Sequence, residues 1–261
     1  MIIDPTPDLE RRFGALRRLY GDEGYARIRA ARIAVVGLGG VGSWAVEALA
    51  RSGVAELTLI DLDHIAESNI NRQVQALGAT LGQAKALALA ERVADIHPGC
   101  AVHVVEEFAS ADNWPALLPQ PIDALIDACD QMRAKQALAA WALREEAIAF
   151  ISVGAAGGKQ LAQAVEIDDL AAASHDPLLA SLRQRLRQQE GAARKGAIGL
   201  RCVFSREAVR MPGGLDAECD IEGNLNCHGY GSSVAVTGTF GFAAAGEVLR
   251  QLLVRSPKAV E

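Results

Sequence analysis

Between residues 37 and 130 the chain carries a glycine cluster, then carboxylates and cations in an order that suits nucleotide chemistry. Gly37-Leu-Gly39-Gly40-Val-Gly42 is a G-x-G-x-x-G arrangement. Such glycines let the backbone turn tightly and approach phosphates, and a helix starting there presents its positive end. The motif alone does not separate NAD, FAD and ATP. Asp61 follows at the distance where a carboxylate can accept from ribose hydroxyls. The same acid could simply cap the turn after a strand. Arg72, Lys85 and Asp130 come next. Hydride transfer needs no such set, whereas nucleotidyl transfer does: cations neutralise the triphosphate and a carboxylate holds magnesium. Taken singly, Arg72 reads as a surface ion pair, Lys85 as a solvated helix face and Asp130 as a helix cap. Their joint order and spacing favour the nucleotide.

Elements of matching period must position these residues. Arg32–Val36 is an apolar run ending in glycine, and Glu56-Leu-Thr-Leu-Ile-Asp61 is a second; both read as buried strands. Further strands are expected at 102–105, 123–127 and 149–153. Helices are expected at about 42–52, 82–96 and 131–146, the second stopped by His97-Pro98-Gly99. Strands alternating with helices predict an α/β fold: a doubly wound, Rossmann-like, mostly parallel sheet. Asp130 then falls beyond a strand's carboxyl end, where ligands bind in open sheets. After Gly154 the pattern predicts strands at 161–167 and 201–210, a basic helix at 177–189 and a glycine-rich loop at 211–231. The stretch from Gly229 to Gly246 has no charge but much Gly, Ser and Thr. It reads as a core helix against the sheet, reaching about Val254, rather than a bilayer span. The chain thus divides into a helical arm (1–30, interrupted at Gly21 and Gly24), a nucleotide-binding half (31–155) and a smaller half (156–261) that extends the same sheet.

Gly-x-Gly-Gly-x-Gly, Ile60-Asp61-Leu-Asp63, Ser68-Asn69-x-x-Arg72-Gln73, Gly82-x-x-Lys85 and Asp127-x-x-Asp130 resemble the ubiquitin-activating-enzyme-like adenylyltransferases. Further segments narrow the likeness: Arg12-Phe13-Gly14, Arg18-Leu19-Tyr20-Gly21, Asp176-Pro177-Leu178, Val203-Phe204-Ser205 and Phe240-Gly241-Phe242. They resemble the bacterial tRNA threonylcarbamoyladenosine dehydratases, over nearly the whole chain. The resemblance implies ATP-driven cyclisation of threonylcarbamoyladenosine at position 37 of tRNA. It also implies ATP at Gly37, Gly39, Gly40, Gly42, Asp61 and Asp63, with phosphates at Asn69, Arg72 and Lys85 and Mg²⁺ at Asp130. A homodimer and a cysteine-desulfurase sulfur-transfer partner are implied as well, and a monovalent cation in the glycine-rich loops is left open. The alternative is activation of the Gly-Gly terminus of a ubiquitin-like sulfur carrier.

Two departures bear on that choice. Where protein-tag activators carry an arginine three residues after the arm's first arginine, this chain has Ala15; Arg18 is the substitute candidate, reaching from a second subunit. Residues 154–200 hold no cysteine and the chain has no C-x-x-C pair, which weakens a thioester, a persulfide or a structural zinc site. Cys202, Cys219 and Cys227 read as buried or loop thiols.

With 261 residues, 50% of them hydrophobic and 22% charged, the chain has ample material for a core. Five irregularly spaced cysteines suit a reducing cytoplasm, peripheral membrane attachment staying open. The net charge of −6 excludes bulk binding of polyanions such as DNA. A tRNA surface must then be local. Arg183, Arg185, Arg187, Arg194, Lys195 and Arg201 are interrupted by one acid, Glu190. Arg183 and Arg187 share a helix face, and with Lys195 they are the expected tRNA contacts; the plain alternative is a solvated basic stripe.

Overall fold

A computed structural model describes residues 7–145, 147–210 and 230–254. Seven strands form one sheet: β1 (Arg32–Val36), β2 (Glu56–Ile60), β3 (Ala101–Val105), β4 (Ala124–Asp127), β5 (Ala149–Val153), β6 (Val165–Asp169) and β7 (Arg201–Ser205), in the order β3-β2-β1-β4-β5-β7-β6. All pairings are parallel except β6 on β7. The order reverses between β1 and β4. The first crossover runs outward to β2, the later one returns to the other side, and a crevice opens where they part.

Side chains alternate across the sheet because the strand period is two. Ile33 and Val35 point to one core, Ala34 and Val36 to the other. The first core is covered by α3 (Gly42–Arg51), α4 (Lys85–Ile96) and α7 (Val234–Val254), the second by α5 (Met132–Arg144) and α6 (Pro177–Gln189). The expected chargeless core helix is α7, and among the described residues no helix is long and apolar enough to cross a membrane. Close packing explains its small residues. A Cβ on Gly241 would stand 2.5 Å from the Val41 carbonyl oxygen and 2.8 Å from Cβ of Trp44.

The arm consists of α1 (Leu9–Phe13) and α2 (Ala15–Ala30), and it is docked rather than free. Arg12 donates to the carbonyls of Asp95 and Ile96, at the end of α4. Phe13 is buried against His97. Gly21 interrupts α2 as expected, with φ +72°. Gly24 does not: it stays helical, because its missing side chain admits Leu253 of α7.

Several expected boundaries shift. The helix at 82–96 begins at Lys85, after an extended Ala84. The strand at 161–167 is a 3-10 turn (Ala162–Ala164) followed by β6. The strand at 201–210 ends at Ser205, where Glu207 turns back to accept from the amides of Gln160 and Leu161. The loop at 211–231 lies outside the described residues apart from Tyr230 and Gly231.

Candidate active site

The carboxyl edges of β1, β2, β4 and β5 enclose a cavity of about 500 Å³. Its floor is the glycine loop, and two of the glycines are dictated by the protein itself. Gly37 has φ +86°, and a Cβ there would lie 2.8 Å from the backbone of Ala128 and Cys129; one on Gly42 would lie 1.8 Å from the Gly37 carbonyl oxygen. Gly39 differs. It lines the cavity, and a Cβ there would meet no protein atom closer than Gln73 Nε2 at 4.0 Å. Its missing side chain leaves room toward the cavity, where a ligand backbone contact would need it.

Asp61 follows directly on β2 and is buried. Its oxygens accept from the amides of Leu38 (2.6 Å) and Asp63 (2.9 Å), which fixes the carboxylate beside the glycine loop. Burial raises its pKa, with Lys85 and the two amides pulling the other way. Lys85 opens α4, and its buried Nζ lies 2.6 Å from Asp63 Oδ2. Asp63 is thus the partner that holds Lys85 toward the cavity. Asn69 closes a 3-10 turn (Glu67–Asn69), its Oδ1 accepting from the Ala66 amide. Arg72 donates to the Ser68 carbonyl (2.7 Å) and to Asn71 Oδ1 (3.0 Å). Burial lowers its pKa, and among the described residues no carboxylate lies within ion-pair distance of it. A guanidinium half withdrawn from water without an acid beside it is poised for an anion. Asp130 lines the same cavity just past β4. Among the described residues no three-ligand metal cluster exists. One carboxylate in the cavity fits Mg²⁺ only where the phosphates of a bound nucleotide and waters would complete its shell.

All the expected nucleotide residues except Gly42, which packs beneath the loop, line this one cavity. Arg18 does not: it is exposed on α2, outside the cavity of its own chain. Arg183, Arg187 and Arg194 line a separate, shallow groove on α6. Arg183 also donates to the carbonyls of Leu170 (3.1 Å) and Ala173 (2.8 Å), and Arg187 to that of Ala193. Lys195 is exposed beside them.

Several supporting residues escape a sequence reading. Lys135 on α5 is wholly buried, its Nζ bonded to Asp127 Oδ2 (2.8 Å), Ser152 Oγ (3.2 Å) and the Val153 carbonyl (2.9 Å). Burial alone would lower its pKa; Asp127 more than offsets this and keeps the ammonium charged. This pair locks the ends of β4 and β5 under the cavity, and breaking such a pair costs about 3–5 kcal/mol. Asp176 caps α6 through the Leu179 amide and holds the Ala155 amide on the cavity wall. Asp176-Pro177 is a readable start signal for a helix; its second bond is not. Lys159 donates to the carbonyls of His175, Ser205 and Glu207, and burial lowers its pKa.

The sequence profile of the ThiF family matches residues 12–260. The chain belongs to the ThiF family. Two curated relatives match it almost end to end. The tRNA threonylcarbamoyladenosine dehydratase of Haemophilus influenzae is 41% identical over 94% of each chain. That of Escherichia coli is 39% identical over 95% of this chain and 96% of its own. The crystal structure of the Escherichia coli enzyme in complex with ATP superimposes with a TM-score of 0.85, at 39% identity, over 96% of this chain and 97% of that one. The same enzyme in complex with AMP gives 0.84 at 40% identity.

Proposed function

We propose that the protein is an adenylate-forming cyclase that dehydrates threonylcarbamoyladenosine in tRNA at the expense of ATP. The observation that carries this reading is the convergence of Arg72, Lys85 and Asp130 on the glycine loop, in one cavity. The chemistry follows from the substrate. A free threonyl carboxylate is a poor electrophile. Its attack on the α-phosphorus forms an acyl–phosphate bond and expels pyrophosphate. The carbamoyl group then closes on the activated carbonyl, and AMP leaves with the carboxylate oxygen. The net change is loss of one water from the base. Ring closure is intramolecular, so proximity replaces a protein nucleophile.

In this scheme Asp61 accepts from the ribose, while Asn69, Arg72 and Lys85 bind the phosphates. Asp130 holds Mg²⁺, which when bound neutralises phosphate charge. A monovalent cation in the glycine-rich loops stays an open addition. The thiols disfavour carrier chemistry. Burial pushes Cys100 and Cys202 up to about 12 and Cys129 well above the usual range, so none is a ready thiolate. Cys219 and Cys227 lie outside the described residues. Val234 and Phe242 on α7 are about half exposed. They offer apolar surface for a second subunit, from which Arg18 would be supplied. A cytoplasmic location and a desulfurase partner belong to the same proposal.

The test mixes protein, ATP, Mg²⁺ and tRNA bearing threonylcarbamoyladenosine, then digests the tRNA and weighs its nucleosides. The expected product is the base lighter by one water, with AMP and pyrophosphate formed in equal amounts. Unchanged nucleoside with ATP bound would overturn the reading.

A further inference from the structure

Thr237 lies in the first turn and a half of α7 and is 3% exposed. It lines the cavity with its methyl Cγ2 toward Gly40, while its Oγ1 is shut off from solvent and has no hydrogen-bond partner. That is unusual for a helical threonine, whose hydroxyl commonly bonds the carbonyl four residues back. Thr239 does so, donating to the Ala235 carbonyl at 2.7 Å. The equivalent acceptor for Thr237, the Ser233 carbonyl, already takes the amides of Val236 and Thr237. A buried hydroxyl left unpaired costs free energy that a ligand acceptor would recover.

The surroundings say what kind of ligand. A Cβ placed on Gly40 would stand 3.2 Å from Cγ and Cδ of Arg72 and 3.3 Å from Cγ2 of Thr237. Thr237 and the stem of Arg72 therefore flank the same glycine of the phosphate loop. The register is held from two sides. Trp44 donates to the Arg72 carbonyl (2.9 Å) and Asn71 to the Ser232 carbonyl (3.1 Å), tying the start of α7 to the arginine loop. Two helix N-termini, of α3 after the glycine loop and of α7 shortly after Ser232, lie at this end of the cavity, and both favour negative charge.

We propose that Thr237 is a further nucleotide-binding residue: a turn about its χ1 brings the hydroxyl to the place of the methyl, where it donates to the β,γ-phosphates of ATP, beside Arg72 and the N-terminus of α7. This rests on the ATP reading above. Thr237 then helps to distinguish the triphosphate from AMP and to hold pyrophosphate as it leaves. Thr237→Val keeps the volume and removes only the donor, and Thr237→Ser restores it. Calorimetric titration with ATP and with AMP, each with Mg²⁺, should show ATP binding weakened roughly tenfold or more in T237V, as for a lost hydrogen bond to a charged group. AMP binding should be unchanged, and T237S should match wild type. Free of nucleotide, T237V should melt at or above wild type, since no bond is lost. A lower melting temperature would mean the hydroxyl is already bonded within the protein, and would overturn the proposal. So would equal ATP affinity in T237V, or a raised KM for tRNA alone, which would put the threonyl carboxylate at this hydroxyl. Failure of the wild-type protein to bind ATP would instead sink the ATP reading itself.

Discussion

Lys85 and Asp130 reach the cavity from opposite sides, and neither holds the fold together. Lys85 is buried, but its partner Asp63 has a half-exposed side chain, so truncation leaves an acid that water can solvate. Asp130 makes no ion pair with the described residues. Lys85→Ala and Asp130→Asn should therefore melt close to wild type. Each should lose about 10²–10³ in turnover, the range for a single preorganised contact to developing charge. Rates of AMP formation beside a melting curve check this; full turnover in either variant removes that residue from the site. Asp127 behaves oppositely. It looks like part of the same motif, yet it is wholly buried on Lys135 and serves the fold.

At the scale of elements, the strands and most helices could be read because their signals are local. The run Arg32–Val36 and the stop at His97-Pro98-Gly99 each carry their own period or punctuation. Lys135 could not be read, because a lysine within an Ala- and Leu-rich helix looks like a solvated face until β5 brings Ser152 and Val153 to it. The orphan hydroxyl of Thr237 is likewise a product of packing, not of spacing. The arm gives a pH prediction of this kind. His97 follows α4 and is buried, with Nε2 2.8 Å from Arg29 and Phe13 on its ring. Burial lowers its pKa from the ordinary 6.5, and the charges of Arg29 and Arg12 push the same way. The unfolded chain then binds the proton more readily than the folded one, so stability falls as pH drops through 6.5. His97→Gln should flatten that slope in urea melts between pH 7.5 and about pH 5, with the loss smallest where wild type is already protonated. Parallel slopes would show that the arm's docking is not linked to this ring.

At the scale of the whole molecule, an acidic protein must hold a polyanion far larger than its cavity. Repulsion at a distance opposes binding, so contact depends on a local excess of positive charge. The α6 groove supplies it: Arg183, Arg187 and Arg194 line one concavity, and exposed Lys195 follows in the chain. The cations are not equivalent. Arg183 is partly buried and spends two donors on the turn after β6, so its removal would test stability as much as binding. Arg187 makes one bond to the Ala193 carbonyl, which leaves most of its five N–H donors free for phosphate. The clean variant is therefore Arg187→Ala with Lys195→Ala. Both residues lie outside the nucleotide cavity, so ATP affinity should not change. Phosphate contacts release condensed counterions whatever the base sequence, so tRNA binding should weaken across all tRNAs alike. The slope of log K against log salt should fall by about one to two units if each residue meets a phosphate. Binding measured over a salt series for both proteins decides it. Superimposable lines would leave the stripe as a solvated helix face, and the exposed arginines of α1 and α2, Arg11 and Arg18 among them, would be the next surface to vary.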